Sequence, residues 1–441
     1  MLIGMQHRLA VRDWVPEASE RGAGVIIDEI VASTAEVRAA RLGALISANT
    51  RIHDVECVNL NPATNTMSPA AVAALAAGLG PRTSLGYFGA KYEMGLEAIE
   101  EVEVIAAQLA AQVFGARFVE FRVPSGAMAN LMVFMATARA GDSVIVPPAS
   151  VAGHVTHHPR GAAGLYGLDI HEAPIDPDRY TLDVEGLAEL TERVRPALIT
   201  VGSSLNLHHH DVADIRRVAD SVGAIVMFDA AHVSGPIAGG AWPNPLAEGA
   251  HVMTMSTYKS LAGPTAGLVL TDDAALAERI DAIAFPGLTA NFDVGKTAAL
   301  ALTLNDWLVH GEAHAAEMVA TAVSLADALD AEEIAVFRPG GVATRSHAFA
   351  LDASAFGGGT ATAHRLRAGN VLASAIGLPS GLDDGVRMGT NELVRWGAVV
   401  DDMADLASMI ARVLRTDDPA SMHAEVAAFR SRFTGVGYCI S

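Results

Sequence analysis

The chain has 441 residues, 51% of them hydrophobic and 18% charged, enough to bury a large core and too apolar for disorder. Its net charge of −20, from 30 basic and 50 acidic residues, argues against nucleic acid or an anionic membrane as partner, since both need clustered Lys and Arg. Two cysteines, Cys57 and Cys439, are too few for a secreted disulfide scaffold, and no CxxC metal pattern occurs.

The first residues, Met1 to His7, lack a basic segment followed by an apolar one, so no signal peptide is expected. Ala-rich stretches are broken by charges or Gly well before the ~18 residues a membrane span needs. A soluble, cytoplasmic enzyme is expected. Residues 1–48 hold two helix-like stretches, the second around 28–45. Residues 70–79 read as a helix, and 96–115 as a long amphipathic helix closed by Gly115. Short apolar runs follow at 118–123, 143–146, 197–201, 224–228 and 251–255, alternating with helical stretches such as 212–222. That alternation predicts an α/β fold, a mostly parallel sheet covered on both faces. Ligands of such sheets sit beyond the C-terminal strand ends. Around Phe285-Pro286-Gly287 the character changes. A helix from 296 onward leads into a mixed α+β segment with helices near 399–414 and 420–433, where Pro419 suits a helix start. Three parts are expected: a helical segment 1–48, a large domain 49–284 and a smaller domain 285–441.

In chain order, the first segment with chemical character is Ser125-Gly126-Ala127. It follows an apolar run and opens a helix, where free N–H groups, a hydroxyl and a Gly suit a phosphate. Taken alone it is also an ordinary N-cap. The loop Gly153-His154-Val155-Thr156-His157 offers a flat imidazole, His154, that can stack on a ring. The cluster His208-His209-His210-Asp211 hints at a metal, but successive residues point in different directions, so a polar loop is the better reading and no metal is expected. An apolar run delivers Asp229 to a strand end, where a carboxylate can pair with a protonated pyridine nitrogen. Thirty residues later Lys259 follows a second run, among Ser256, Thr257 and Ser260 and before a Gly-Pro turn. A lysine there can form a Schiff base if its site depresses its pKa. An aspartate and a lysine so placed suit pyridoxal 5′-phosphate (PLP). A surface lysine and an N-capping aspartate would look the same on pattern alone. Arg387 can clamp a carboxylate bidentately.

Together these segments resemble serine hydroxymethyltransferase, a PLP-dependent transferase family of fold type I. The likeness runs in order from about residue 59 to 400. It includes Gly86-Tyr87-Phe88-Gly89, Ser125-Gly126, the His154 loop, Asp229-Ala230-Ala231-His232, Trp242-Pro243-Asn244-Pro245, Lys259 with Gly263-Pro264, Phe285-Pro286-Gly287, and Arg387-Met388-Gly389-Thr390. The resemblance implies roles. Lys259 carries the cofactor, Asp229 pairs with its ring nitrogen and His154 stacks on it. Ser125, Gly126 and Ala127 hold the phosphate, with Thr257 nearby. Ser204 and His232 contact the O3′ side, and Arg387 binds the substrate carboxylate. It also implies a homodimer or tetramer, and making or breaking the Cα–Cβ bond of a small β-hydroxy amino acid through a glycine quinonoid.

Several matching positions depart from the family. Leu85 stands for a glutamate central to folate chemistry, Thr83 for a tyrosine two before it, and Glu93 for a second tyrosine. Ala63 and Thr64 replace a serine and a glutamate, Ala149 a leucine beside the pterin, and Tyr258 a histidine before the lysine. A Gly-Gly phosphate segment is missing from 288–291. Cofactor-holding groups are kept, whereas several groups that process serine with tetrahydrofolate are changed. Hydroxymethyltransferase chemistry is therefore the leading expectation. A folate-independent aldolase or transaldolase stays open beside it, as does an aminotransferase on the same fold. Tetrahydrofolate is expected to accelerate serine cleavage little.

Overall fold

The computed structural model describes residues 8–440. Residues 1–7, read above as lacking a signal-peptide pattern, lie outside the described residues. Residues through Cys57 form a unit of their own. It holds α1 (Glu17–Ala32) and α2 (Ala35–Thr50). The break between them falls inside the stretch 28–45 expected as one helix. Thr34 there turns extended (φ −79°, ψ 168°) and its hydroxyl accepts the Val37 N–H, a capping arrangement that starts a new helix. Neither helix buries a residue within this unit.

The second unit runs from Val58 onward. Its first long helix, α3 (Glu97–Phe114), ends where Gly115 takes a left-handed φ of 65°, a conformation cheap only for glycine. Seven strands make the main sheet: β1 (Phe118–Val123), β2 (Ser143–Val146), β3 (Asp169–Glu172), β4 (Leu198–Val201), β5 (Ile225–Asp229), β6 (Val252–Ser256) and β7 (Gly267–Thr271). Their spatial order is β1-β7-β6-β5-β4-β2-β3. All adjacent pairs are parallel except those made by β7, which runs antiparallel to both β6 and β1. The five apolar runs expected as strands are all strands, shifted by at most one residue at either end. Strands β3 and β7 were not expected. β3 is short and polar (Asp-Ile-His-Glu), without the apolar signal used to find the others.

Sheet side chains such as Ile199, Val201 and Phe228 feed one core, and Val144, Met227 and Val252 feed another on the opposite face. This two-sided burial is what a parallel sheet requires. Helix α4 (Gly126–Thr137) follows β1. Helix α5 (Val294–Ala331) is 38 residues long. Its first two thirds, with Leu300, Leu304, Trp307 and Met318, join the sheet core, and its last part, with Ala322, Leu325 and Leu329, joins a separate C-terminal core. That second core is built on a three-stranded antiparallel sheet of β8 (Ala348–Asp352), β9 (Ser374–Leu378) and β10 (Gly381–Gly389). β10 lies in the middle and carries Arg387 opposite Ala350 and Ser374. Among the described residues no helix is long and apolar enough to cross a membrane, and no group of His, Cys, Asp and Glu has the arrangement of a metal site.

Candidate active site

Five parallel-running strands end at one edge of the sheet, and the loops leaving them enclose a cleft of about 160 Å3. β1 leads into Ser125, Gly126 and Ala127; β2 into the His154 loop; β4 into Ser203 and Ser204; β5 into Asp229, Ala231 and His232; β6 into Ser256, Tyr258 and Lys259. This is the edge where open α/β sheets bind ligands. Every site residue expected from sequence lines it except Thr257 and Arg387. Thr257 is fully buried, and its hydroxyl donates to the Pro264 carbonyl, closing the turn behind Lys259. Arg387 comes from the small sheet and meets the cleft through His232.

The floor of the cleft is a polar network that satisfies the Asp229 carboxylate, while the far nitrogen of one member, His157 Nδ1, is buried with no hydrogen-bond partner. Asp229 is buried and accepts three hydrogen bonds. Asn130 Nδ2 donates to Oδ2 at 2.8 Å, the Ala231 N–H donates to Oδ1 at 3.0 Å, and His157 Nε2 lies 3.0 Å from Oδ2. Asn130 is itself fixed from behind, its Oδ1 accepting the Thr254 hydroxyl at 2.7 Å. Burial pushes the Asp229 carboxyl up, but His157 and Asn130 outweigh it and hold the pKa well below the usual carboxylate range. The group is therefore an anion buried in the floor. Sequence reasoning missed Asn130 and His157. The signal was present: Asn130 is a lone amide in an otherwise apolar helix, and such a side chain needs a buried partner.

The wall of the cleft is the opposite case. Lys259 is 6% exposed, and its Nζ lies 3.2 Å from His232 Nε2. Burial lowers its pKa from 10.5 to about 8; Asp229 opposes this, and Arg387 adds to it. His232 Nε2 also lies 3.3 Å from Arg387 Nη1. Burial and the two neighbouring cations hold His232 neutral, so Nε2 is the acceptor facing both. Its Nδ1 is buried with no hydrogen-bond partner. The partly buried Arg387 donates from Nε to Ser374 Oγ at 2.8 Å and from Nη1 to the Ser204 carbonyl at 2.7 Å. No carboxylate among the described residues pairs with it, and burial lowers its pKa to about 10. A guanidinium held by neutral acceptors has N–H donors left that suit an anion. Ser374 and Tyr258 were likewise given no role by sequence.

His154 borders the cleft, with Nδ1 2.9 Å from Thr156 Oγ1; burial lowers its pKa to about 4, so the ring is neutral and flat. Ser125 caps α4, its hydroxyl accepting the Met128 N–H at 3.3 Å. Gly126 packs directly on Ser256, where an added Cβ would collide with the Ser256 hydroxyl. The positions that depart from the resembled family lie elsewhere. Leu85 is half-buried and does not line the cleft, and Glu93 is exposed. Asp229 is the one carboxylate in the lining among the described residues.

The donor set fits PLP. A buried amine of lowered pKa suits an aldehyde carbon, a buried carboxylate suits a protonated ring nitrogen, and a helix start with a hydroxyl suits a phosphate. The unpartnered His232 Nδ1 and the acid-free Arg387 leave polar capacity for further ligand atoms.

Comparison with known proteins agrees. The model of the serine hydroxymethyltransferase family matches residues 42–410. An α-methylserine aldolase of Variovorax paradoxus is 57% identical over 440 residues, 99% of this chain and 100% of that protein. One from a Ralstonia species is 50% identical over 410 residues, 92% and 94% of the two chains. A serine hydroxymethyltransferase of Pyrobaculum islandicum is 36% identical over 388 residues, 87% and 90%.

Proposed function

The chain belongs to the serine hydroxymethyltransferase family, and from that premise we propose that it is a PLP-dependent aldolase acting on an α-methylated β-hydroxy amino acid such as α-methylserine, without folate. The enzyme breaks the Cα–Cβ bond of a β-hydroxy amino acid. Folate-independent aldolase chemistry, expected above as the alternative, is better supported than hydroxymethyl transfer, because the aldolase relatives are more similar than the transferases. The observation that carries the reading is Arg387, a guanidinium without an acidic partner among the described residues, joined through His232 to Lys259.

PLP, when bound, supplies an electron sink for the pair released at Cα. Lys259 attaches it and Asp229 keeps its ring nitrogen charged. Arg387 takes the substrate carboxylate in its remaining N–H donors. That clamp would fix which of the bonds at Cα is presented for cleavage and keep the carboxylate itself in place. Retro-aldol cleavage also needs a base for the β-hydroxyl proton. Lys259, its amine held toward neutrality, would take that proton and return it to Cα, giving alanine, while neutral His232 Nε2, 3.2 Å away, would orient the amine. An α-methylated substrate has no hydrogen on Cα, so transamination, which must remove one, is barred.

Two coarser features go with this reading. A homodimer or tetramer is supported by exposed apolar side chains close together in the chain, Tyr87, Phe88, Tyr92 and Met94, at 55, 65, 75 and 82% exposure. A cytoplasmic location is supported by the two-cysteine content. The decisive experiment gives the PLP-loaded protein α-methylserine. Formaldehyde and alanine should form in equal amounts, with or without tetrahydrofolate. Strict dependence on tetrahydrofolate, or no formaldehyde at all, would overturn the reading.

A further inference from the structure

Lys259 sits at the start of a tight turn. The Ala262 N–H donates back to the Lys259 carbonyl at 2.9 Å, and the Gly263 N–H donates to Thr257 O at 2.7 Å. Ala262 has φ +59°, the left-handed region that an alanine adopts only when its surroundings impose it. A flip of the peptide between Leu261 and Ala262 would relieve that conformation and re-aim the turn. Two bonds oppose the flip: the Ala262 N–H on the Lys259 carbonyl within the turn, and, from outside it, Trp307 of α5, whose indole N–H donates to the Leu261 carbonyl at 2.8 Å.

Trp307 is in turn clamped. His314, two turns further along the same helix, stacks on the indole at 4.9 Å and 22°. Tyr438 stacks on the other face of His314 at 4.5 Å and 6°. His314 is 1% exposed, and burial holds it neutral, so the three rings form an uncharged stack. The segment bearing Tyr438 is tied down on both sides. The Gly437 N–H donates to Arg395 O at 2.7 Å, Arg395 Nη1 donates to Tyr438 O at 2.7 Å, and the Ile440 N–H donates to Asp306 Oδ1 at 2.8 Å. Asp306 immediately precedes Trp307. Arg395 closes the short helix Asn391–Arg395 that follows the Arg387 strand. Tyr438 itself sits at φ +54° and its hydroxyl has no hydrogen bond among those of the described residues.

We propose that residues 436–440 are a positioning strap for Lys259, in which Tyr438 acts through the His314–Trp307 stack to hold the Leu261 carbonyl and so the turn that carries the lysine. The inference rests on Lys259 being the PLP attachment point. Because the ring and not the hydroxyl does the work, Tyr438→Phe behaves as the parent protein. Tyr438→Ala and Trp307→Phe release the Leu261 carbonyl and let the turn relax.

The test follows the visible absorbance band of the PLP-loaded full chain against pH, with kcat and KM for the amino acid. Tyr438→Ala and Trp307→Phe should both move the pH midpoint of the band in the same direction and lower kcat roughly tenfold, since small misplacements at a reacting centre cost rate. KM should change little, because Arg387 is untouched. In the cofactor-free protein, Tyr438→Ala should also shift tryptophan emission to longer wavelength, a change that disappears in a Trp307→Phe background. Phe433→Ala, which truncates a ring in the C-terminal core away from the stack, controls for lost packing: it should lower the melting temperature and leave the midpoint alone. The proposal fails if Tyr438→Ala leaves the midpoint unmoved, or if Phe433→Ala moves it as far. If the parent protein shows no visible band, it is the cofactor reading that has failed, and the two failures stay distinct.

Discussion

The floor and the wall of the cleft are built on opposite principles. Both oxygens of the Asp229 carboxylate find partners within the chain, in Asn130, His157 and the Ala231 N–H, with Thr254 behind them, although His157 Nδ1 is itself left without one. Around Arg387 and Lys259 cations share one neutral imidazole, and no anion pairs with the arginine among the described residues. A network satisfied in advance suits a charge that stays, because nothing reorganises when the partner arrives. A wall short of one negative charge suits a ligand that comes and goes. The difference supports the proposed reading, in which the floor serves the cofactor and the wall the transient carboxylate of the substrate.

Removing the wall's cation should produce the largest effect and separate the two roles. Arg387→Leu deletes the charge without leaving an unpaired acid behind. Losing such a charged contact costs about 2–5 kcal/mol, so kcat/KM should fall roughly 10²-fold or more. The visible band of bound PLP should persist. Loss of the band together with activity would break the comparison, since the arginine would then serve the cofactor. A smaller effect is expected from the floor. Asn130→Ala leaves the Asp229 carboxylate and the Thr254 hydroxyl each short of a partner. Stranding a buried polar group costs about 1–3 kcal/mol, so PLP should bind about tenfold more weakly or worse. At saturating PLP, KM for the amino acid should be near that of the parent. Equilibrium dialysis of the cofactor, set beside steady-state kinetics, checks both halves.

How much of this was legible in the sequence depended on which link of the argument each residue occupies. Strands buried on both faces carry apolar runs, and five were legible; β7, equally apolar and buried, was passed over, and polar β3 was not legible because its place is decided by pairing with β2 and not by its own side chains. Lys259 and Asp229 were legible since their chemistry depends on position at a strand end, which the runs fix. Arg387 was legible as a carboxylate clamp only through the family resemblance, because the fold brings it to His232 from a different sheet. Asn130, His157 and Ser374 were given no role because their work is to hold another residue, and partners 72 or 99 positions away leave no local pattern. The break at Thr34 was missed because helical periodicity continues across it while a single capping side chain interrupts it.

The subtlest difference between floor and wall concerns protons. The floor carboxylate is held ionised, so its state does not change near neutral pH. The wall lysine is held toward neutrality: burial lowers its pKa from 10.5 to about 8, with Asp229 pulling the other way and Arg387 helping. In the cofactor-free protein, the unfolded chain keeps the Lys259 proton up to its ordinary pKa, while the folded chain releases it near 8. Between those values the unfolded state binds more protons, so raising pH favours the folded state. Below the lower value both states are protonated and the full penalty of burying the ammonium remains. A shift of this size should make the contribution of Lys259 more favourable by about 1 kcal/mol between about pH 7.5 and pH 9. Lys259→Met, which keeps the stem and removes the amine, should lack that rise, and other titrating groups cancel because both proteins share them. Urea unfolding midpoints of the two cofactor-free proteins at both pH values provide the measurement. A stability gap that stays constant with pH would mean that the lysine is solvated and charged throughout, and the wall would lose its distinction from an ordinary surface.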